Sequence, residues 1–428
     1  MVTLCGQTES QPVPTKTAST RKPRTAAAPK GPDLAALHRI EERSLWLACW
    51  MIHNANTLRP SRDGLKVGGH QASCASMTTL MTALFCYVLR PQDRVAVKPH
   101  ASPVYHALEH MFGRQSVEQM QAFRALGGAQ AYPSRTKDKI EVDFSTGSVG
   151  LGVAISAFAS LTQDYLAGRS LIAPNEQGRF ISLMGDAELD EGNVYEALIE
   201  AYKHDVRNVW WVVDYNRQSL DATTSERMFD RFDDIFETAG WKVITLKYGK
   251  AQLAAFERPG GEALKAWIDA CPNDLYAALT FEGAKGWRDR LQQDLAGDKA
   301  ALKLLASFDD EGLDGLMTAL GGHCLETMIA AYAEAAADDV PKFILAYTVK
   351  GRGLPFQGHK DNHSGLMTQT QIDALRTRLG IPADEEWSVF SGLDDKERAR
   401  IDKALNAAPW SQATGRKKAS DVIAVPER

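Results

Sequence analysis

The chain contains no run of about 18 apolar residues, so its pattern offers no membrane-spanning helix. Cysteine is sparse. None of Cys5, Cys49, Cys74, Cys86, Cys271 and Cys324 forms a C-x-x-C pair, and none stands at zinc-finger spacing with histidine. They are expected as reduced, mostly buried thiols of a cytoplasmic protein rather than a disulfide framework. Positive charge is not in excess either. Forty-nine Lys and Arg stand against 54 Asp and Glu, a net charge of −5, which makes nucleic acid an unexpected partner. What is present is ordinary for a soluble globular chain, with 44% hydrophobic and 24% charged residues. A length of 428 residues allows two or three domains, or one large α/β unit with extensions.

Residues 1–32 differ from the rest. They are rich in Thr, Pro, Ala and Ser, and carry Lys16, Arg21, Lys22, Arg24 and Lys30 against the single acid Glu9. Such a segment buries too little apolar surface to offset its ordering entropy, so a disordered basic tail is expected. The main domain is expected over 33–395, followed by a C-terminal helix and a linker-like tail over 396–428. Helical periodicity starts at Leu34 and returns from Ala72 to Val88. FISLMG (180–185), NVWWVVDYN (208–216), GWKVITLKYG (240–249) and FILAYTVKG (343–351) read as apolar strands. Amphipathic helical stretches such as GNVYEALIEAYKH (192–204) lie between them. Strands alternating with helices predict an α/β fold with a doubly wound, mainly parallel sheet flanked by helices. The stretch from Gln252 to about Asp339 reads as helical and surface-exposed, without a usable motif.

The chemistry concentrates in GDAELDEGN (185–193) and DYNRQSLD (214–221). Asp186 and Asn216 each follow the carboxyl end of a predicted strand, thirty positions apart, about one βαβ unit. A right-handed crossover makes the two strands neighbours. Both side chains then reach the rim where open α/β sheets bind ligands. A carboxylate and an amide carbonyl are hard oxygen donors and suit Mg²⁺, which usually keeps substrate phosphates in its shell. Taken singly, Asp186 is equally a helix N-cap. The glycines of FSTGSVGLG, Gly150 and Gly152 among them, either permit close helix–sheet packing or bring backbone N–H groups to a phosphate. Trp210 and Trp211, inside a strand, are expected in the core, and His323 is expected to be structural.

This arrangement resembles the thiamine-diphosphate motif, Gly-Asp-Gly followed about thirty residues on by Asn. The resemblance extends to GGHQAS (68–73), KPHASPVYHA (98–107), AYPSR, FSTGSVGLG and YTVKGRG in the same order, over roughly residues 38 to 395. Together these resemble the homodimeric-type pyruvate dehydrogenase, the decarboxylating first component of its complex, and more distantly transketolase. The resemblance implies the thiamine diphosphate-binding fold and, within it, the diphosphate-binding domain. It implies thiamine diphosphate and Mg²⁺ as cofactors. The implied metal ligands are Asp186, Asn216 and the backbone carbonyl of Gln218. It implies contact with the cofactor from Ser73, Gly150, Gly152, Gly185, Asp186, Ala187, Glu188 and Asn216. The implied catalytic positions are His70, His100, Tyr132 on the substrate side, Lys350 as a cation facing the reacting group, and His363 on a mobile loop. Two positions depart from the family pattern. The motif's second glycine is Ala187, which needs a negative φ. Lys98 stands where the family has a neutral amide, so a change in accepted substrate is expected.

Thiamine chemistry also needs a glutamate that the family draws from a second, pyrimidine-binding domain, and the sequence stops near where that domain would start. The expectation is a half-site, completed by a separate subunit or by the rest of a longer enzyme. The implied activity is decarboxylation of a small 2-oxo acid, pyruvate by default, with transfer of the acyl group to lipoyl. The basic tail is then a candidate dock for the lipoyl acyltransferase core. The alternatives are a split transketolase-type subunit and a non-catalytic cofactor-binding or regulatory subunit. A twofold-symmetric assembly is expected.

Overall fold

The computed structural model describes residues 31–416 apart from 62, 220, 221, 224 and 225. The chain divides into Met1–Pro32 and Asp33–Arg428. The first 30 residues of the expected basic tail, and 417–428 of the expected linker-like tail, lie outside the described residues, whereas Arg416 pairs with Asp143.

Five strands form one parallel sheet: β1 (Arg94–Ala96), β2 (Phe180–Gly185), β3 (Val209–Tyr215), β4 (Lys242–Leu246) and β5 (Lys342–Tyr347), in the order β1-β2-β3-β5-β4. The four expected strands are present. β1, only three residues long, was too short to read from its pattern. β2 and β3 are direct neighbours, with Gly185 opposite Asp214, as the crossover argument requires. A small antiparallel hairpin pairs Gln218–Ser219 with Ala222–Thr223 immediately beyond β3.

Alternation along the strands explains why the sheet is covered on both faces. Ile181, Leu183, Trp210, Val212 and Ile344 face a cluster built on the helices Leu34–His53, Gln71–Ala83 and Leu325–Ala335. Phe180, Met184, Trp211, Val213, Phe343 and Leu345 face the other way, onto the helices Leu151–Gly168, Gly192–Lys203 and Glu226–Thr238. Trp210 stacks on Tyr332, and the Trp211 indole N–H donates to Ser156 Oγ at 3.2 Å, so both tryptophans belong to the core. Residues 250–318 correct their reading as surface helices. Six helices there enclose a core of their own around Tyr276, Trp287, Leu291, Leu305 and Met317.

Local signals fix the ends of the elements that carry the site. Asp33 Oδ1 accepts from Ala36 N–H and caps the first helix, and Thr368 with Gln371 forms a capping box. The helix Asp395–Ala407 returns to the first helix. Arg400 pairs with Asp33, and Ile401 and Leu405 share a core cluster with Leu37. Cys49, Cys74, Cys86, Cys271 and Cys324 are free thiols, the first three buried. No helix among the described residues is long and apolar enough to cross a membrane.

Candidate functional site

Four adjacent strands end at one rim, and residues one to three positions after each end build a cleft of about 310 Å³. Lys98 follows β1, Asp186 follows β2, Asn216 follows β3 and Lys350 follows β5. All four line the cleft, with Ser73, His100, Gly185, Ala187, Glu188, Gln218 and His363.

Asp186 and Asn216 therefore meet, both nearly wholly buried. Asp186 Oδ2 accepts from the backbone N–H of Arg217 at 2.7 Å. Arg217 adopts a φ of +65°, an uncommon conformation for a side-chain-bearing residue, and it turns the chain sharply beyond Asn216. Asn216 Oδ1 accepts from Gln218 N–H at 3.1 Å, and its amide donates to Asp214 Oδ2 at 3.3 Å. The second bond fixes the amide orientation, with the carbonyl oxygen on the side away from Asp214. Burial pushes the Asp186 carboxyl up to about 7, against the pull of the Lys98 ammonium. The Asp186 carboxylate, the Asn216 amide oxygen and the Gln218 carbonyl make a hard-oxygen set that fits a small divalent cation. The Gln218 carbonyl also receives a long contact, 3.4 Å, from Lys350 Nζ.

Glu188 ties two loops together. Its Oε1 accepts from Gly185 N–H and its Oε2 from Gly150 N–H, both at 2.9 Å. The N–H of Gly150 is thus committed within the protein. Gly150 itself has a φ of +75°, and a Cβ there would stand 2.7 Å from Asn193 Oδ1. Gly152 lies against the sheet, where a Cβ would come within 3.2 Å of Ala96 and Thr146. Neither glycine lines the cleft, although Val149 does. Of the two readings the sequence left open for these glycines, the structure displays close packing against neighbouring elements. Close packing and an internal hydrogen bond are what they supply. Ala187 is not among the positive-φ residues and sits in the 3₁₀ turn Asp186–Asp190, so alanine serves there without strain.

Three histidines converge at the cleft, His100 and His363 lining it and His70 packed against both. The rings of His70 and His100 stack at 3.9 Å between centroids. His363 meets them edge-on at 4.9 and 5.2 Å. His70 Nδ1 lies 2.9 Å from the carbonyl of His363 and donates to it, which sets the tautomer with the lone pair on Nε2. Burial lowers His70 to about 4 and His100 to about 2. Lys350 Nζ lies 3.4 Å from His363 Nδ1. Tyr132 stands behind His100, 6.0 Å between rings, and does not line the cleft. The segment carrying His363 was expected to be a mobile loop. The residue before His363, Asn362, donates from Nδ2 to Gln218 Oε1 and to the Lys350 carbonyl, each at 3.2 Å.

Sequence reasoning missed the hub of the rim, Asp214. It is fully buried, and its carboxylate accepts from Lys98 Nζ at 2.7 Å, from Ser76 Oγ at 2.6 Å and from Thr348 Oγ1. Burial alone would raise its pKa, but the Lys98 ammonium outweighs it and holds the carboxyl below the usual range. The signal available was an acid inside the apolar strand VWWVVDY together with a cation, Lys98, unusual for its motif. His323 is structural, as expected: its Nε2 accepts from Val349 N–H at 2.7 Å.

Residues 67–262 match the family model of the transketolase thiamine diphosphate binding domain. The pyruvate dehydrogenase E1 component of Corynebacterium glutamicum is 28% identical over 358 residues, covering 80% of this chain and 38% of that protein. The Escherichia coli K12 protein of the same name is 26% identical over 364 residues, covering 81% and 40%. Among solved structures, transketolase from Leishmania mexicana superposes with a TM-score of 0.59 at 18% identity, over 88% of this chain and 46% of that one. Transketolase from Campylobacter jejuni gives 0.58 at 18% identity, over 87% and 46%. The chain thus spans about two-fifths of the length of the curated relatives it matches. Family model, relatives and fold agree with the resemblance carried by the motifs. It is to the diphosphate-binding half of the thiamine-diphosphate-dependent pyruvate dehydrogenase E1 and transketolase superfamily.

Proposed function

We propose that this chain holds thiamine diphosphate through Mg²⁺ and forms the diphosphate-binding half of a decarboxylating 2-oxo-acid dehydrogenase, with pyruvate as substrate and lipoyl as acyl acceptor. The observation that carries it is the hard-oxygen set at two adjoining strand tips, in one cleft with His100 and His363, which cluster with His70. Asp186, Asn216 and the Gln218 carbonyl would hold the metal, with Ser73 at the start of its helix beside the phosphates. When bound, the cofactor supplies a carbon nucleophile and an electron sink for decarboxylation.

The rest is done by the chain's own groups. Glu188 holds the loop bearing Val149 against the metal turn, which keeps the cleft narrow. His70 and His100 are neutral at pH 7, so each offers a lone pair to a proton in transit at the reacting carbonyl. Lys350 brings a fixed positive charge to the side where a carboxylate substrate enters. Lys98 brings none of its charge to the substrate directly, because Asp214 takes it.

A pyrimidine-binding domain, in trans or in the same longer protein, completes the site, and a lipoyl acyltransferase core is the assembly partner. The test is release of CO₂ from pyruvate with ferricyanide as oxidant, after a pyrimidine-binding partner is added. Turnover is expected only with both proteins present. Ketol transfer between sugar phosphates without pyruvate turnover would instead establish a split transketolase. Cofactor binding with no turnover in any such mixture would establish a regulatory subunit.

A further inference from the structure

The imidazoles of His70, His100 and His363 come from three separate segments: the turn before Gln71–Ala83, the turn after β1 and the stretch after β5. One ligand nitrogen from each ring can be chosen so that all three lie within 4.8 Å of one another. Zinc bonds imidazole nitrogen at roughly 2.0–2.1 Å, which places three tetrahedral donors about 3.4 Å apart. The rings therefore need to close by about an ångström, a side-chain adjustment. Burial keeps His70 and His100 unprotonated at neutral pH, so no proton has to be displaced from their lone pairs. The His70 Nδ1–H is spent on the His363 carbonyl, the kind of outer hydrogen bond that orients a metal-binding imidazole. Lys350, beside His363, opposes an incoming cation, while Asp186 and Glu188 on the same cleft favour it.

We propose that His70, His100 and His363 form a second metal site, selective for a borderline divalent ion such as Zn²⁺, distinct from the hard-oxygen set of Asp186, Asn216 and Gln218. Donor chemistry separates the two. Imidazole favours Zn²⁺, Co²⁺, Ni²⁺ and Cu²⁺, whereas carboxylate and carbonyl oxygens suit Mg²⁺. Three protein ligands leave a fourth position open to water or another small ligand. An ion seated there withdraws all three histidines from proton transfer, so the site is inhibitory. The proposal stands on the three side chains and does not depend on the cofactor reading.

The test uses the full chain in excess Mg²⁺, so that the oxygen donors are occupied, titrated with Co²⁺ and followed by visible absorption. The intense bands of four- or five-coordinate Co²⁺ are expected at one equivalent and should disappear when Zn²⁺ is added. His100→Ala and His363→Ala should each weaken binding by about 100-fold or more, since even loss of an outer partner costs 10- to 100-fold. Asp186→Ala should retain the bands, and Lys350→Met should tighten binding. Should either histidine variant fail to fold, the wild-type chain is modified with diethyl pyrocarbonate, and Zn²⁺ must protect His70, His100 and His363 together. Weak octahedral bands only, bands lost in Asp186→Ala but kept in the histidine variants, or no protection by Zn²⁺ would overturn the proposal.

Discussion

Asp214 and Lys98 form a buried pair whose loss has a calculable consequence. Lys98→Met leaves Asp214 with hydroxyl and amide partners but no cation. Removing one partner of a buried pair costs about 3–5 kcal/mol. Urea unfolding is expected to show that loss, and Lys98→Met with Asp214→Asn is expected to recover most of it. A stable single variant would show that the pair matters little to the fold. This pair also shows what the sequence could not tell. Asp186 and Asn216 were legible because each closes an apolar run. Asp214 stands out as an acid inside an apolar strand, but its partner lies 116 positions away, so no local pattern pairs the two. Lys98 was read as a departure from the family's neutral amide that changes the accepted substrate, and the fold shows its ammonium paired with Asp214.

The histidines give a pH dependence with a definite sign. His70 has a folded pKa near 4, against about 6.5 when unfolded. Between those values the unfolded chain binds more protons, so stability falls as pH drops from about 6.5 to about 4. The shift corresponds to roughly 3 kcal/mol. His70→Gln is expected to flatten that part of the curve in chemical unfolding at stepped pH. An unchanged acid limb would contradict the burial argument.

At the scale of elements, Glu188 ties the start of the helix Leu151–Gly168 to the turn after β2, through the N–H groups of Gly150 and Gly185. Glu188→Gln keeps one acceptor oxygen and turns an amide toward the other N–H. The expected cost is about 1–3 kcal/mol for the unsatisfied group. It should appear as a lowered midpoint in urea, with faster hydrogen exchange at Gly150. The strands of six and seven residues, β2, β3 and β5, were readable because both faces are apolar. β1 was not, since three residues carry no period. The helices of 250–318 were readable as helices but not as a packed group, because their apolar residues meet only across separate elements.

For the whole molecule, the doubly wound sheet was legible from alternation alone, and the rim site from two motifs at strand ends. The strand order was not, since β5 enters between β3 and β4 after a long helical excursion. That insertion brings Thr348 to Asp214 and Lys350 to the cleft. The most direct measurement is titration calorimetry of thiamine diphosphate into the chain, with Mg²⁺ and with a chelator, for the wild type and Asp186→Ala. Binding that requires Mg²⁺ and disappears in a variant whose thermal unfolding is unchanged is the predicted result. Equal affinity in the variant, or affinity indifferent to the metal, would contradict the placement of a metal-bridged diphosphate at these strand tips.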